Sequence, residues 1–267
     1  MDRKKQVAAG PVQRMNEKAF AESNTTVVRW LFNGGAIINS HGCIIMIDPL
    51  LKGFDMPLLI EPPLKTEEVT RLHAILITHS DNDHFSRQTC RELAPICRSG
   101  IHTTKYVNEL LQQEKIAGSA GYEIGDSFIV GNCKITLTPA DHAWQNERPK
   151  YAFRYYHQNE CCGFRIETAE GTIWMPGDSR LMEEQLMMPR PDVILLDISD
   201  SPWHIGLSGI KRLTAAYPAA ALIPVHWGCV DAPMMPEFNG DPQVLNSFVV
   251  NPERIHILAP GEPFELK

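Results

Sequence analysis

Short apolar runs separated by polar or glycine-containing breaks recur along the chain, and they predict buried strands. Val27-Val28-Arg29-Trp30-Leu31-Phe32 and Cys43-Ile44-Ile45-Met46-Ile47 predict two strands joined by a stretch with Gly34-Gly35 and the turn-like Asn39-Ser40-His41-Gly42. Asp48-Pro49 stops the second. A Pro- and Leu-rich connection follows, with a short helix predicted over 65–72 before a strand at Ile75. Helices are predicted over 87–93 and 104–114, the latter from the spacing of Val107, Leu110 and Leu111. From about Gly121 the texture turns to strands at 128–130, 134–138, 162–166 and 172–175. Buried strands at 193–196 and 221–225 bracket a helix over 209–217, and Ile255-His256-Ile257-Leu258 closes the tail. A β-rich half followed by β-α-β traffic predicts a layered α/β sandwich, its sheets covered by helices.

The 267 residues, 43% of them hydrophobic, suffice for one sizeable core, so a single domain over 25–267 is expected behind a polar extension at 1–24. A net charge of −7 and the lack of a long Lys/Arg run exclude a nucleic-acid surface as the chain's main business. No stretch approaches the roughly 20 apolar residues of a membrane span, and the extension has no apolar signal core, so a cytoplasmic location is expected. The seven cysteines are scattered without a C-x-x-C pair, as in reduced, structural thiols. Cys161 and Cys162 are adjacent in a strand and face opposite ways, which disfavours a metal or redox pair.

The densest chemistry lies in Ile75-Leu76-Ile77-Thr78-His79-Ser80-Asp81-Asn82-Asp83-His84, where an apolar strand runs into H-x-D-x-D-H. Carboxylates this close repel unless a cation or proton neutralises them, so the cluster predicts a metal site. The competing reading is a polar helix start, with Ser80 or Asp81 as N-cap. Three more apolar strands end the same way: in Pro139-Ala140-Asp141-His142, Pro176-Gly177-Asp178-Ser179 and His226-Trp227-Gly228. Four ligand-bearing strand ends converging on one rim make one pocket.

In order and spacing these motifs, with the early glycine pair, Ile47-Asp48-Pro49 and the trailing Phe85-Ser86, resemble the metallo-β-lactamase superfamily over about 27–266. They are most similar to its ascorbate-phosphate-lactonase-like and N-acylphosphatidylethanolamine-phospholipase-D-like branch. The resemblance implies a four-layered αββα sandwich, mixed sheets flanked by helices, and two divalent metal ions: zinc or manganese, with iron as the alternative. It implies His79, Asp81 and His142 at the first ion, Asp83, His84 and His226 at the second, and Asp178 between them. Asp81 departs from the pattern, because most members carry histidine there. A hard carboxylate favours manganese, iron or magnesium; alternatively the shorter side chain falls back and leaves the first site half-built.

Asp83 and His204 are the candidate catalytic residues. His204, in Ser201-Pro202-Trp203-His204-Ile205-Gly206, is a candidate for oxyanion contact or acid–base work, and Asp141 for steadying a ligand histidine or the unused metal. The insert at 143–160 carries Trp144, Arg148, Lys150, Arg154, Tyr155, Tyr156 and His157. It reads either as a rim for an anionic ligand or as a solvated hairpin. Met187-Met188 and Met234-Met235 read as an acyl wall or as routine gap filling. The expected activity is hydrolysis of a small anionic ester, a phosphodiester or phosphorylated lactone, with no nucleic acid and no membrane span among its partners and a homo-oligomer left open. The alternatives are a di-iron redox protein, whose relatives carry acidic residues at the Asp81 position, and a non-catalytic metal-binding member of the same fold.

Overall fold

The computed structural model describes residues 6–266, so the first five residues of the polar extension fall outside it. Two mixed sheets stack face to face. The first contains β1 (Thr26–Phe32), β2 (Gly35–Ser40), β3 (Cys43–Ile47), β4 (Ala74–Leu76), β5 (Ile101–Thr104), β6 (Ser119–Tyr122) and β13 (Pro263–Glu265), in the order β13-β1-β2-β3-β4-β5-β6. The second contains β7 (Ser127–Val130), β8 (Cys133–Pro139), β9 (Cys162–Glu167), β10 (Thr172–Met175), β11 (Val193–Asp197) and β12 (Ala221–Val225), in the order β12-β11-β10-β9-β8-β7.

Continuous apolar runs are needed because both faces of these strands are covered. In β3, Ile45 and Ile47 face the opposing sheet with Trp30, Ile135 and Trp174. Ile44 and Met46 face outward, into a second cluster with Cys90 and Leu93 of α1 (Arg87–Leu93) and Val107 and Leu111 of α2 (Lys105–Gln113). On the other side α3 (Gly206–Ala216) packs Ile210 and Leu213 into the cluster that runs through the second sheet. The result is the four-layered αββα order.

Several local expectations differ. β2 lies inside what reads as a connection: Ala36–Ile38 is buried between two turns, and Asn39 donates to the carbonyls of Ala19 and Ala21. β5 and β6 are too short and polar to stand out, yet Thr103 is buried and donates to Ile77 O at 2.7 Å. The helix over 65–72 shrinks to one 3₁₀ turn, Thr66–Glu68, because Val69 turns extended and Leu72 bridges to Cys97 on the way into β4. The 255–258 segment holds only one bridge, Ile255 to Leu222. The chain then turns at Gly261, whose N–H reaches Trp30 O at 2.7 Å, and closes as β13 along β1.

The described part of the polar extension docks on the domain. Ala9 donates to Gly228 O, Gln13 to Pro260 O and Met15 to Pro63 O, each at 2.9 Å, and Phe20 is buried. All seven cysteines are free thiols, and burial pushes Cys90, Cys161 and Cys229 each up to about 12, so they stay protonated and unreactive at neutral pH. No helix among the described residues is long and apolar enough to cross a membrane.

Candidate metal centre

The ends of β4, β8, β10, β11 and β12 and the β1–β2 turn meet at one rim. The segment after β4 turns tightly, with His84 and Phe85 N–H groups bonding Asp81 O. α1 then starts from Ser86, whose Oγ accepts from Thr89 N at 3.0 Å. The helix cap is therefore Ser86, and Asp81 is not used as one.

Four overlapping donor groups result among the described residues, two of them, through His204, joining His142 with Asp178 and His226 with Asp197; the other two hold the strand-end residues named above. In one, His79, Asp81 and His142 bring single donor atoms within 4.8 Å of one another; in the other, Asp83, His84, Asp178 and His226 do the same. Asp178 lies between: its Oδ2 is 3.2 Å from His84 Nε2, 3.4 Å from His226 Nε2 and 3.9 Å from His142 Nε2. Asp81 Oδ2 is 3.6 Å from His79 Nε2 and 3.3 Å from His142 Nε2, while Asp83 Oδ2 is 3.2 Å from His226 Nε2.

The far side of each imidazole is held. His142 Nδ1 donates to Trp203 O at 2.8 Å and His226 Nδ1 to Glu237 O at 3.0 Å. His84 Nδ1 pairs with the buried Asp48 at 2.8 Å. His79 Nδ1 meets Thr78 Oγ1 at 2.9 Å, and that hydroxyl donates in turn to Asp48 Oδ2 at 2.5 Å. A carbonyl or carboxylate at Nδ1 fixes the proton there and leaves the Nε2 lone pair free, which is the tautomer of a metal ligand. His79 Nε2 and His84 Nε2 are buried without a hydrogen-bond partner. Orphaned imidazole nitrogens facing three carboxylates fit a cation, since leaving them bare costs free energy.

Glycine and left-handed backbone make room for this packing. Asn33 (φ 48°), Asp48 (φ 42°) and His226 (φ 64°) adopt a conformation unusual for residues with a side chain, and such positions gather at functional sites. Asn33 receives His226 N–H at its carbonyl and gives its amide to Asp83 at 3.1 Å.

Electrostatics separate the charged groups from their ordinary behaviour. Burial would raise Asp83, but His84 and His226 hold it down at about 2. Asp178 is likewise held well below the carboxylate range, and Asp81 by His142 and His79. Burial would lower His226, but Asp178 and the bond to Asp83 outweigh it and raise it to about 9. Without a cation His84, His142 and His226 therefore hold their protons more tightly than a free imidazole does. A raised histidine adds stability that is complete below its unfolded value near 6.5 and is lost as pH climbs through about 9. A divalent ion needs neutral imidazoles and binds better as protons leave. Metal-free protein should thus lose on the order of 3 kcal/mol from His226 alone between pH 6.5 and 9, while metal-loaded protein holds or gains. Thermal melts with and without chelator across that range check this, and parallel slopes would contradict it.

Above the rim opens a cleft of about 860 Å³, lined by Tyr106, Trp144, Arg148, Trp203, Met235 and several of the candidate donors, among others. His204 lines it too, its Nδ1 on Asp197 at 2.6 Å, leaving Nε2 as its free nitrogen. Asp197 is missed by the motif reading although it ends β11 as the other acidic residues end theirs. Asp141 is placed differently from expectation. It faces Arg180, with both contacts at 3.1 Å, and makes no hydrogen bond to a histidine side chain among the described residues. In the insert Arg148 faces the cleft, but Arg154 is structural, paired doubly with Glu160 and stacked on Tyr106 and Tyr156. Met234 and Met235 line the cleft; Met187 is exposed at the surface, 77% accessible, and Met188 packs on the core.

Comparison with known proteins agrees with this architecture. A metal-dependent hydrolase of the UPF0173 group from Lawsonia intracellularis is 26% identical over 217 residues, covering 77% of this chain and 84% of the relative. Among solved structures, the isothiocyanate hydrolase from Delia radicum gut bacteria superposes with a TM-score of 0.70 at 16% identity, over 90% of this chain and 99% of that one. The metallo hydrolase Igni18 from Ignicoccus hospitalis superposes with a TM-score of 0.68 at 19% identity, over 91% and 100%. The sequence signature of the beta-lactamase superfamily domain matches residues 44–227, more than half of the chain and including every candidate donor residue above. The chain therefore belongs to the β-lactamase superfamily, with the metallo-β-lactamase fold and with relatives named as metal-dependent hydrolases.

Proposed function

We propose that the protein is a two-metal hydrolase of an anionic ester, either a phosphodiester or a phosphorylated lactone. His79, Asp81 and His142 would hold one divalent ion and Asp83, His84 and His226 the other, with Asp178 shared between the two groups. The observation that carries this reading is the common focus of the Nε2 atoms on Asp178 and its neighbouring carboxylates, with each Nδ1 tied back to the protein. When bound, such a pair supplies activated water at neutral pH and positive charge against the attacked oxygen.

The chain's own groups provide the rest. His204, held at Nδ1 by Asp197, lines the cleft and in its doubly protonated form would deliver a proton from Nε2 to the leaving atom. The Asp197 carboxylate orients the ring and balances the charge of the imidazolium from which that proton leaves. Arg148 draws the anionic end of the substrate, and Trp144 and Trp203 exclude water around it. Three carboxylates beside the imidazoles suit zinc and manganese, and they equally suit iron, which supports a di-iron redox protein as the second reading.

The test uses metal-loaded protein on a phosphodiester, bis(4-nitrophenyl) phosphate, and on a phosphorylated lactone. Turnover of one of them is expected, with His204→Gln lowering kcat roughly 10²- to 10⁴-fold at unchanged metal content. Full metal loading with no ester cleavage, together with oxygen consumption under reducing conditions, would replace this reading by the redox one.

A further inference from the structure

Asp81 stands where an imidazole is usual, and the structure surrounds it with donors that an imidazole does not match. The indole Nε1 of Trp144 donates to Asp81 Oδ2 at 2.7 Å, and the amide Nε2 of Gln145 donates to Oδ1 at 3.0 Å. Gln145 is buried and Trp144 half-buried. Indole is a donor only, so Asp81 must accept there as a carboxylate. A carboxylate has about four lone-pair positions, enough for both donors and a cation. A neutral imidazole has one acceptor nitrogen, and a metal ion would use it, leaving both donors unpaired.

Both donors open the insert at 143–160, and that insert is braced as a unit. Asn146 and Tyr156 exchange side chain–backbone bonds at 2.8 and 2.9 Å. Trp144 meets Tyr151 edge to face at 5.2 Å. Arg154 is clamped between Glu160 and the rings of Tyr106 and Tyr156. The inner end of the insert thus grips Asp81, while its outer aromatic face lines the cleft.

We propose that Trp144 and Gln145 are positioning residues for the first metal ion. By orienting both oxygens of Asp81, they let an aspartate serve in the usual histidine position, and they tie retention of that ion to the seating of the rim insert. This rests on the two-ion reading above and adds to it a dependence of one ion, and not the other, on the insert.

The test is chelator-driven metal release from loaded protein, followed by ion count per chain. Wild type is titrated first, and two ions per chain are expected. Trp144→Phe keeps the ring and removes only the N–H; Gln145→Leu removes the amide. Each should release one ion about 10- to 100-fold faster and leave the other unchanged, with the double variant showing the larger effect. Release of both ions at the wild-type rate, or loss of both ions in equal measure, would overturn the inference while leaving the two-ion reading standing. Wild type that holds fewer than two ions would overturn both, and the titration shows this before any variant is compared.

Discussion

Replacing Asp178 by asparagine is expected to remove at least one ion and to lower turnover roughly 10³-fold or more. The side chain contacts imidazoles of both donor groups through one oxygen, at 3.2 Å, 3.4 Å and 3.9 Å from His84, His226 and His142. Asparagine preserves shape and volume, so packing survives while the shared negative charge disappears. Activation by a metal pair is worth several kcal/mol of transition-state stabilisation, and about 4 kcal/mol corresponds to roughly 10³ in rate. Removing the carboxylate also removes the partner that raises His84 and His226, so their protons leave more readily and the metal-free fold loses part of the stability those charges supply. Elemental analysis and steady-state kinetics on the same sample decide the matter. An Asp178→Asn protein with two ions and full turnover would remove Asp178 from the centre.

Gly34→Ala is expected to act as strongly, although it replaces no donor residue. A methyl group at position 34 would sit 2.3 Å from His84 Cε1, 3.0 Å from Nδ1 and 3.1 Å from Nε2. The ring has nowhere to retreat. Its Nδ1 is bound to Asp48, and it packs against His79 at 4.3 Å and His226 at 5.2 Å between centroids. Either the β1–β2 turn shifts or the imidazole rotates off Asp48, and overpacking of this kind costs about 1–3 kcal/mol. The predicted signature is a modest fall in thermal stability with a much larger loss of the second ion and of activity. A variant that melts early but binds metal normally would show that the turn, and not His84, absorbs the methyl.

The sequence made the chemistry more legible than the fold's details. H-x-D-x-D-H and three further strand ends stand out because buried strands written as apolar runs are followed abruptly by ionisable residues, and those residues do converge on one rim. What supports them was harder to see. Asp48 reads as the stop of a strand and as part of the family pattern without a role of its own, yet its two oxygens receive Thr78 and His84. Asn33 looks like a turn residue, and its amide reaches Asp83 only because the left-handed backbone carries it there. Trp144 and Gln145 lie more than 60 positions from Asp81, at separations of 63 and 64, and no local pattern encodes that pairing. β5 and β6 were hidden for a different reason: they are four-residue strands at the end of their sheet, β6 at its edge, and α2 packing on them leaves them needing little apolar character of their own.

The central claim is a pair of metal ions held by seven residues of one chain. It is tested most directly by elemental mass spectrometry on protein purified without added metal, with ions counted per chain, repeated after reloading with zinc and with manganese. The account predicts about two ions per chain, of zinc, manganese or iron. A single ion or none, persisting after reloading, would contradict it and would leave Asp81, His79 and His142 as a polar cluster without a cation.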